Sequence, residues 1–220
     1  MSNRKCIEFN LLGNAQDSLR QAIRQLAWND AESPESQLKH AVVNTAHCVE
    51  LLLKERLRRV APALVLVDPR KYPSLSAYTV NVDTAIKRLR RDGNVRIAVE
   101  DERMIKGLRT VRNAIEHYEW YTTLKDARQI VGDALSFIFA FAASELGIDL
   151  ASEFRNDDTW RVLLDELNSF TCTHSKRLAE IMRTRGEDPV ECKNCGKEAV
   201  PWYGGSCELC GHRQDFESEE

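Results

Sequence analysis

Asp101 to Tyr118 reads DERMIKGLRTVRNAIEHY, and the reading of this stretch decides the fold. Met104, Leu108, Val111, Ile115 and Tyr118 recur at steps of three and four, the apolar stripe of an amphipathic helix. Asp101 is the expected N-cap. Near the end of the helix stands Arg112-Asn113-Ala114-Ile115-Glu116-His117. Residues advance by about 100° each along a helix, so Asn113 and His117 share a face. Arg112 lies about 140° from His117, with a side chain long enough to swing back. The polar trio borders the packed stripe, where side chains are held yet still meet a ligand or a second subunit.

Helical signals continue outward in both directions. Residues 83–91 (DTAIKRLRR) predict a short helix capped by Asp83 and ended by Asp92-Gly93. Residues 94–100 (NVRIAVE) read as a short strand or an extended link. Pro62, Pro69 and Pro73 mark an irregular connection over 61–81, long enough to cover a site. Ahead of it, Ser33, Pro34 and Glu35 supply cap, first-turn proline and first-turn acid for a helix over 34–60. That helix turns Leu38, Val42, Val49, Leu52 and Leu53 inward and has a basic end, Lys54-Glu55-Arg56-Leu57-Arg58-Arg59. The first helix, over 9–28, carries Leu12, Ala15, Leu19, Ala22 and Leu26, and residues 31–35 break it. On the C-terminal side, Thr123-x-x-Asp126 opens an apolar helix to Leu146 that Gly147 stops. Trp160, Leu164, Leu167 and Phe170 form one further helical face, and another helix over 174–185 ends at Gly186. The fold class is all-α, with no run of alternating strands and no internal repeat before residue 190.

A chain of 220 residues, 43% apolar, accommodates one domain and a small appendage. The organisation expected is a helical domain over 1–150, a helical extension over 151–189, a cysteine module over 190–214 and an acidic tail over 215–220. Net charge −3 marks neither a nucleic-acid glove nor a membrane binder. The opening residues, MSNRKCIEFN, lack the basic, apolar and small-residue pattern of a leader. The longest apolar run, ALSFIFAFAA over 134–143, is half of the about 20 residues a membrane span needs, so it reads as a core helix. A soluble, cytoplasmic protein is expected.

The trio suits attack on a phosphodiester. Histidine titrates near ~6.5 and can act as general base or acid. Arginine clamps phosphate or stabilises the developing phosphorane charge. Asparagine can orient a hydroxyl, a phosphate oxygen or the histidine. RNA brings its own nucleophile, the 2′-hydroxyl, so no metal is obligatory. One histidine gives one proton-transfer group, and a two-fold homodimer would bring the second. Spacing alone leaves two readings open, a catalytic site or polar residues on a helix face. Between Ile86 and Arg112, nine basic residues face four acidic ones. Lys87, Arg88, Arg91 and Arg109 are therefore candidate RNA-backbone contacts, with Lys54, Arg56, Arg58 and Arg59 as possible additions. Tyr118, Trp120 and Tyr121 suit either base stacking or packing.

Arg-Asn-x-x-x-His in this helical order resembles the HEPN family (higher eukaryotes and prokaryotes nucleotide-binding), whose signature is arginine, four to six residues, histidine. KHAVVNTAHCVELLLKER over 39–56 and DTAIKRL over 83–89 are similar to that family's preceding helices, and the resemblance covers roughly residues 5–150. It implies an up-and-down bundle of four to five helices, paired so that two motifs line one cleft. It also implies a metal-independent endoribonuclease acting as toxin, antiphage effector or RNA-processing factor. Arg112 and His117 would be catalytic and Asn113 supportive. Some members are instead non-catalytic binding modules. In one toxin subgroup a tyrosine two residues beyond the histidine is modified; here that position is Glu119, which sets this chain apart from that control.

Of seven cysteines, four form Cys192-x-x-Cys195 and Cys207-x-x-Cys210, each pair followed by glycine. Two such knuckles place four thiolates around one ion, the signature of a structural Zn2+ ribbon with short strands over 199–203 and after His212. Four thiolates leave no position for a water. Cys6, Cys48 and Cys172 are expected as free thiols. Over 191–220, seven acidic residues outnumber three basic ones, which disfavours a phosphate grip by this module. A protein partner or the chain's own helices are its expected contact, through Trp202 and Tyr203.

Overall fold

The structure is a computed structural model that describes residues 10–27, 33–74, 76–155 and 158–215. Cys6, the helix break at 31–32 and the acidic tail beyond residue 215 lie outside the described residues. Among the described residues, seven α-helices are followed by a small β region. The helices are α1 (Leu11–Ala27), α2 (Pro34–Val60), α3 (Val82–Asp92), α4 (Val99–His117), α5 (Leu124–Phe141), α6 (Asp158–Glu166) and α7 (Asn168–Thr184).

Local chemistry sets most helix ends. The Ser33 hydroxyl accepts from Ser36 N at 3.3 Å, with Pro34 next, and α2 begins there. It stops at Ala61, whose extended backbone precedes Pro62. Thr123 caps α5 by accepting from Asp126 N at 3.1 Å. After Phe141 the helix widens into a π turn, Ala142–Leu146, that Gly147 closes at φ +66°.

Two expected caps are displaced. Asn81, not Asp83, caps α3 by accepting from Thr84 N at 2.9 Å. Asp101 is no cap: α4 starts at Val99, and the buried Asp101 carboxylate instead pairs with Arg177 of α7. A buried carboxylate needs a cation more than a helix end needs a cap. Residues 94–98 form the extended link rather than a strand. The long face expected from Trp160 to Phe170 is cut at Leu167, so that α7 begins six residues before His174.

α2 is the central helix, flanked by α1, α3, α4 and α5, which explains why it is buried on more than one face. Its basic end serves packing. Glu55, 1% exposed, accepts from Arg58 at 2.8 and 2.9 Å and from Arg59 at 3.0 Å, and Arg59 also donates to Leu146 O. Burial opposes the Glu55 charge, and the two guanidiniums more than offset it, holding its carboxyl below the usual range. Leu124–Leu146 is long and apolar enough to cross a membrane by composition, but it lies inside the bundle, packed against α2, α4 and α7. Gly132 lets α7 approach α5: a Cβ there would stand 2.7 Å from Phe170 N. An aromatic cluster locks α6 and α7 onto α5, with Phe139 edge-on to Trp160 at 5.4 Å and Phe170 edge-on to Trp160 at 5.6 Å.

The C-terminal module consists of two antiparallel pairs. β1 (Pro189–Glu191) pairs with β2 (Glu198–Pro201), and β3 (Gly205–Ser206) with β4 (Arg213–Gln214). It has its own small core, in which Leu178 of α7 meets Ala199, Val200 and Leu209. Trp160 Nε1 donates to Leu209 O at 2.8 Å and fastens the module to α6.

Candidate functional site

The last two turns of α4 emerge from the bundle. Ile105 and Leu108 are buried, Val111 and Ile115 half-buried, and His117 has a side chain 73% exposed. Arg112 Nε stands 2.6 Å from Glu116 Oε2, and Arg112 Nη1 donates to Asn113 Oδ1 at 3.1 Å. His117 Nε2 lies 3.9 Å from the same Glu116 oxygen. Glu116 therefore pairs with the arginine and lies beyond hydrogen-bond distance of the histidine; the sequence reading treated it as a spacer. The four-residue step from Arg112 was the available signal.

Arg112 and Asn113 also line a cleft of about 480 Å³ between α2, α4 and the start of α3, whereas His117 lies beyond it. Arg109, at the same cleft, pairs with Asp83. Of the other candidate RNA contacts, Arg88 donates to the carbonyls of Leu64, Leu66 and Val67 at 2.7, 2.6 and 2.9 Å. It pins the 61–81 connection and has little left for phosphate. Arg91 pairs with Asp92 at 2.7 Å, and Lys87 is exposed. Glu102 takes both Arg90 and Lys106, at 2.8 and 2.7 Å. Hydrogen bonds from Lys106 and Arg90 pull its carboxyl down to about 2. Lys54 pairs with Glu50 at 2.6 Å and Arg56 with Glu145 at 3.1 Å. Much of the basic excess is thus matched by carboxylates. Tyr118 and Tyr121 stand 89% and 87% exposed, while Trp120 packs partly into the core.

The cysteine module is enclosed by contrast. Cys192, Cys195, Cys207 and Cys210 bring their Sγ atoms within 4.8 Å of one another. The Cys192–Cys210 and Cys195–Cys207 separations are 3.7 and 3.8 Å. Ligands on a tetrahedral ion with metal–sulfur bonds of about 2.3 Å stand about 3.8 Å apart, and a disulfide needs about 2.05 Å. All four cysteines are free thiols with the spacing of a tetrathiolate metal site.

The two knuckles repeat one backbone pattern. Cys192 N donates to Lys197 O at 2.9 Å and Cys207 N to His212 O at 2.8 Å. Gly196 and Gly211 turn each knuckle at φ +64° and +77°. Burial pushes the Cys207 thiol up and raises Cys195 to about 11. At Cys192 burial is outweighed by backbone and thiol hydrogen bonds, which move its thiol the other way, downwards. Gln214, unnoticed in the sequence, links the halves: it accepts from Lys193 N at 2.9 Å and donates to Glu191 O at 3.1 Å. Trp202 and Tyr203 are both 59% exposed and form an edge-on pair at 5.7 Å.

Among known proteins, no family model, characterised sequence or solved structure matches this chain.

Proposed function

We propose that this protein is a HEPN-like, metal-independent endoribonuclease that acts as a homodimer and carries a structural Zn2+ in its cysteine module. The observation that carries the reading is the grouping at the end of α4 of Arg112, paired with Glu116 and bonded to Asn113, with the exposed His117 nearby and a cleft beside the first two. In this mechanism His117 takes the proton of the RNA 2′-hydroxyl as that oxygen attacks phosphorus. Arg112 stabilises the phosphorane charge, and Asn113 orients the guanidinium. Glu116 holds Arg112 until a phosphate competes for it. The product carries a 2′,3′-cyclic phosphate. A second copy seated on the exposed face around His117, Tyr118 and Tyr121 supplies the other proton-transfer group. A role as toxin or antiphage effector in the cytoplasm follows from the family resemblance alone.

A second reading has its own support. Arg112, Arg109 and Arg91 all pair with carboxylates of the same chain, as expected of a binding module that does no chemistry. In that case the exposed Trp202–Tyr203 pair recruits a protein partner.

Purified full-length protein, with mixed RNA and EDTA outside the folded metal site, separates the two. Cleavage should fall about 10²–10⁴-fold in His117→Ala and comparably in Arg112→Ala. RNA bound but left uncut by folded, dimeric wild-type protein would overturn the enzymatic reading. For the cysteine module, Zn2+ is proposed from the tetrathiolate donor set. One zinc per chain by elemental analysis supports it, and iron in its place would refute it.

A further inference from the structure

We propose that the turn Pro201–Gly204 of the cysteine module docks an arginine-rich segment of a protein partner, held by the Trp202 and Tyr203 rings and the Glu187 and Asp188 carboxylates. The proposal rests on the reading in which this aromatic pair recruits a protein, names that partner's chemistry, and does not depend on what the α4 cluster does. Gly204 N donates to Pro201 O at 2.9 Å, so Trp202 and Tyr203 are the two central residues of a β-turn. Turns normally take Gly, Pro, Asn, Asp or Ser. Two adjacent aromatics here, both 59% exposed, add nothing to the module's own core of Ala199, Val200 and Leu209. Their area is open to a partner, and tryptophan and tyrosine are the side chains that most often anchor one.

Charge selects the partner. Glu187 and Asp188 immediately precede β1, whose Pro189 faces Pro201 across the strand pair, so both acids stand beside the turn. Tyr203 Oη donates to Glu187 Oε1 at 3.2 Å and ties ring to carboxylate. Among the described residues neither acid forms a salt bridge. The arginines at the end of α7, Arg183 and Arg185, are taken by Glu198 and Glu208 at 2.9 Å each. Lys193 and Lys197 lie in the knuckle that closes the far end of the same strand pair. Over 191–220 acidic residues already outnumber basic ones, and Glu187 and Asp188 extend the excess. Unpaired carboxylates beside open rings repel phosphate, which disfavours RNA here, and attract a cation. Guanidinium suits both features: it stacks flat on an aromatic face and presents a fork of N–H donors to a carboxylate, whereas ammonium is a strongly hydrated point charge. The two rings lie at 83° to each other with centroids 5.7 Å apart, so they offer faces in two directions, one for each of two arginines.

The test is fluorescence anisotropy of labelled peptides mixed with the metal-loaded, full-length protein. The peptides alternate glycine with arginine, lysine or serine, and a uridine oligonucleotide is the fourth probe. The arginine peptide should bind most tightly, with an affinity that falls as salt rises. Trp202→Ala combined with Tyr203→Ala should weaken it about tenfold. Glu187→Gln combined with Asp188→Asn should weaken it and flatten its salt dependence. All four residues lie outside the module's core, and unchanged metal content checks that each variant is folded. No binding of the arginine peptide, equal binding of the lysine peptide, or an affinity unchanged in either double variant would overturn the inference. Serine-peptide binding that needs the rings would keep a recruiting turn but overturn its chemistry. Uridine binding that needs the rings would assign the turn to RNA, and a dimer dissolved by the ring variant would assign it to a second copy; either overturns the inference. RNA cleavage by the same preparation is scored separately, so failure of one result leaves the other standing.

Discussion

At the end of α4 the candidate side chains stand towards solvent, with His117 73% exposed and Arg112 paired with Glu116 of the same helix. In the cysteine module the donors are drawn further in: Cys192 and Cys207 are buried, Cys195 and Cys210 half-buried, and the knuckles are knitted by backbone hydrogen bonds and Gln214. The module is complete within one chain, because four donors already surround one point. The α4 cluster stands at an exposed helix end. Groups that close on themselves can stabilise a fold, and groups left open are free to be tested for contact with a substrate or partner.

That contrast can be broken experimentally. The largest effect expected is on the module. Cys207→Ser, or stripping the metal with a strong chelator, should expose residues 189–215 to protease while α1–α5 stay protected, because metal binding and folding are linked. Persistence of a protected module without metal would remove the distinction at its root.

Next comes His174, enclosed beneath the module. Its folded-state pKa of about 3 lies below the ordinary 6.5, so the fold favours the neutral ring. The unfolded chain then binds the extra proton between those values, and stability present above pH ~6.5 is lost as pH falls towards ~3, at up to about 1.4 kcal/mol per pH unit. Denaturant melts should show that acid slope flattened in His174→Phe. Identical slopes would mean that the ring is not enclosed as described.

Trp160→Phe should cost about 1–3 kcal/mol, since it leaves the buried Leu209 carbonyl without its donor. Proteolysis of the module should accelerate accordingly. The smallest change belongs to the open site. His117→Ala and Arg112→Ala should each shift stability by no more than about 0.5 kcal/mol, because their pairings are partly solvated. A loss of several kcal/mol in chemical melts would show the α4 cluster to be structural.

The features legible in the sequence are those set by neighbours along the chain. Pro34 and Gly147 mark helix limits because each restricts or frees the local backbone. Cys-x-x-Cys-Gly fixes both spacing and turn, so the four cysteines that cluster could be named from the sequence. Asp101 shows the limit of such reasoning. As a local signal it is a cap; in the fold it answers Arg177, 76 positions away. Arg88 likewise reads as a phosphate contact but is occupied by carbonyls more than 20 positions upstream. His174 gave no signal, because only the packing of α7 against α5 and the module buries it.

The sequence by itself determined seven helices, a four-cysteine module and a polar motif placed late on one helix. Periodicity, caps and knuckle spacing act over a few residues, and the chain order records them. Tertiary structure alone decided which charges are spent inside the fold, that the Arg112–Glu116 pair and His117 stand at an exposed helix end, and that a cavity lies beneath the module. Burial makes an unpaired charge costly, so a basic residue drawn into the fold takes an acceptor that packing brings near it, as Arg88 and Arg177 do from far along the chain.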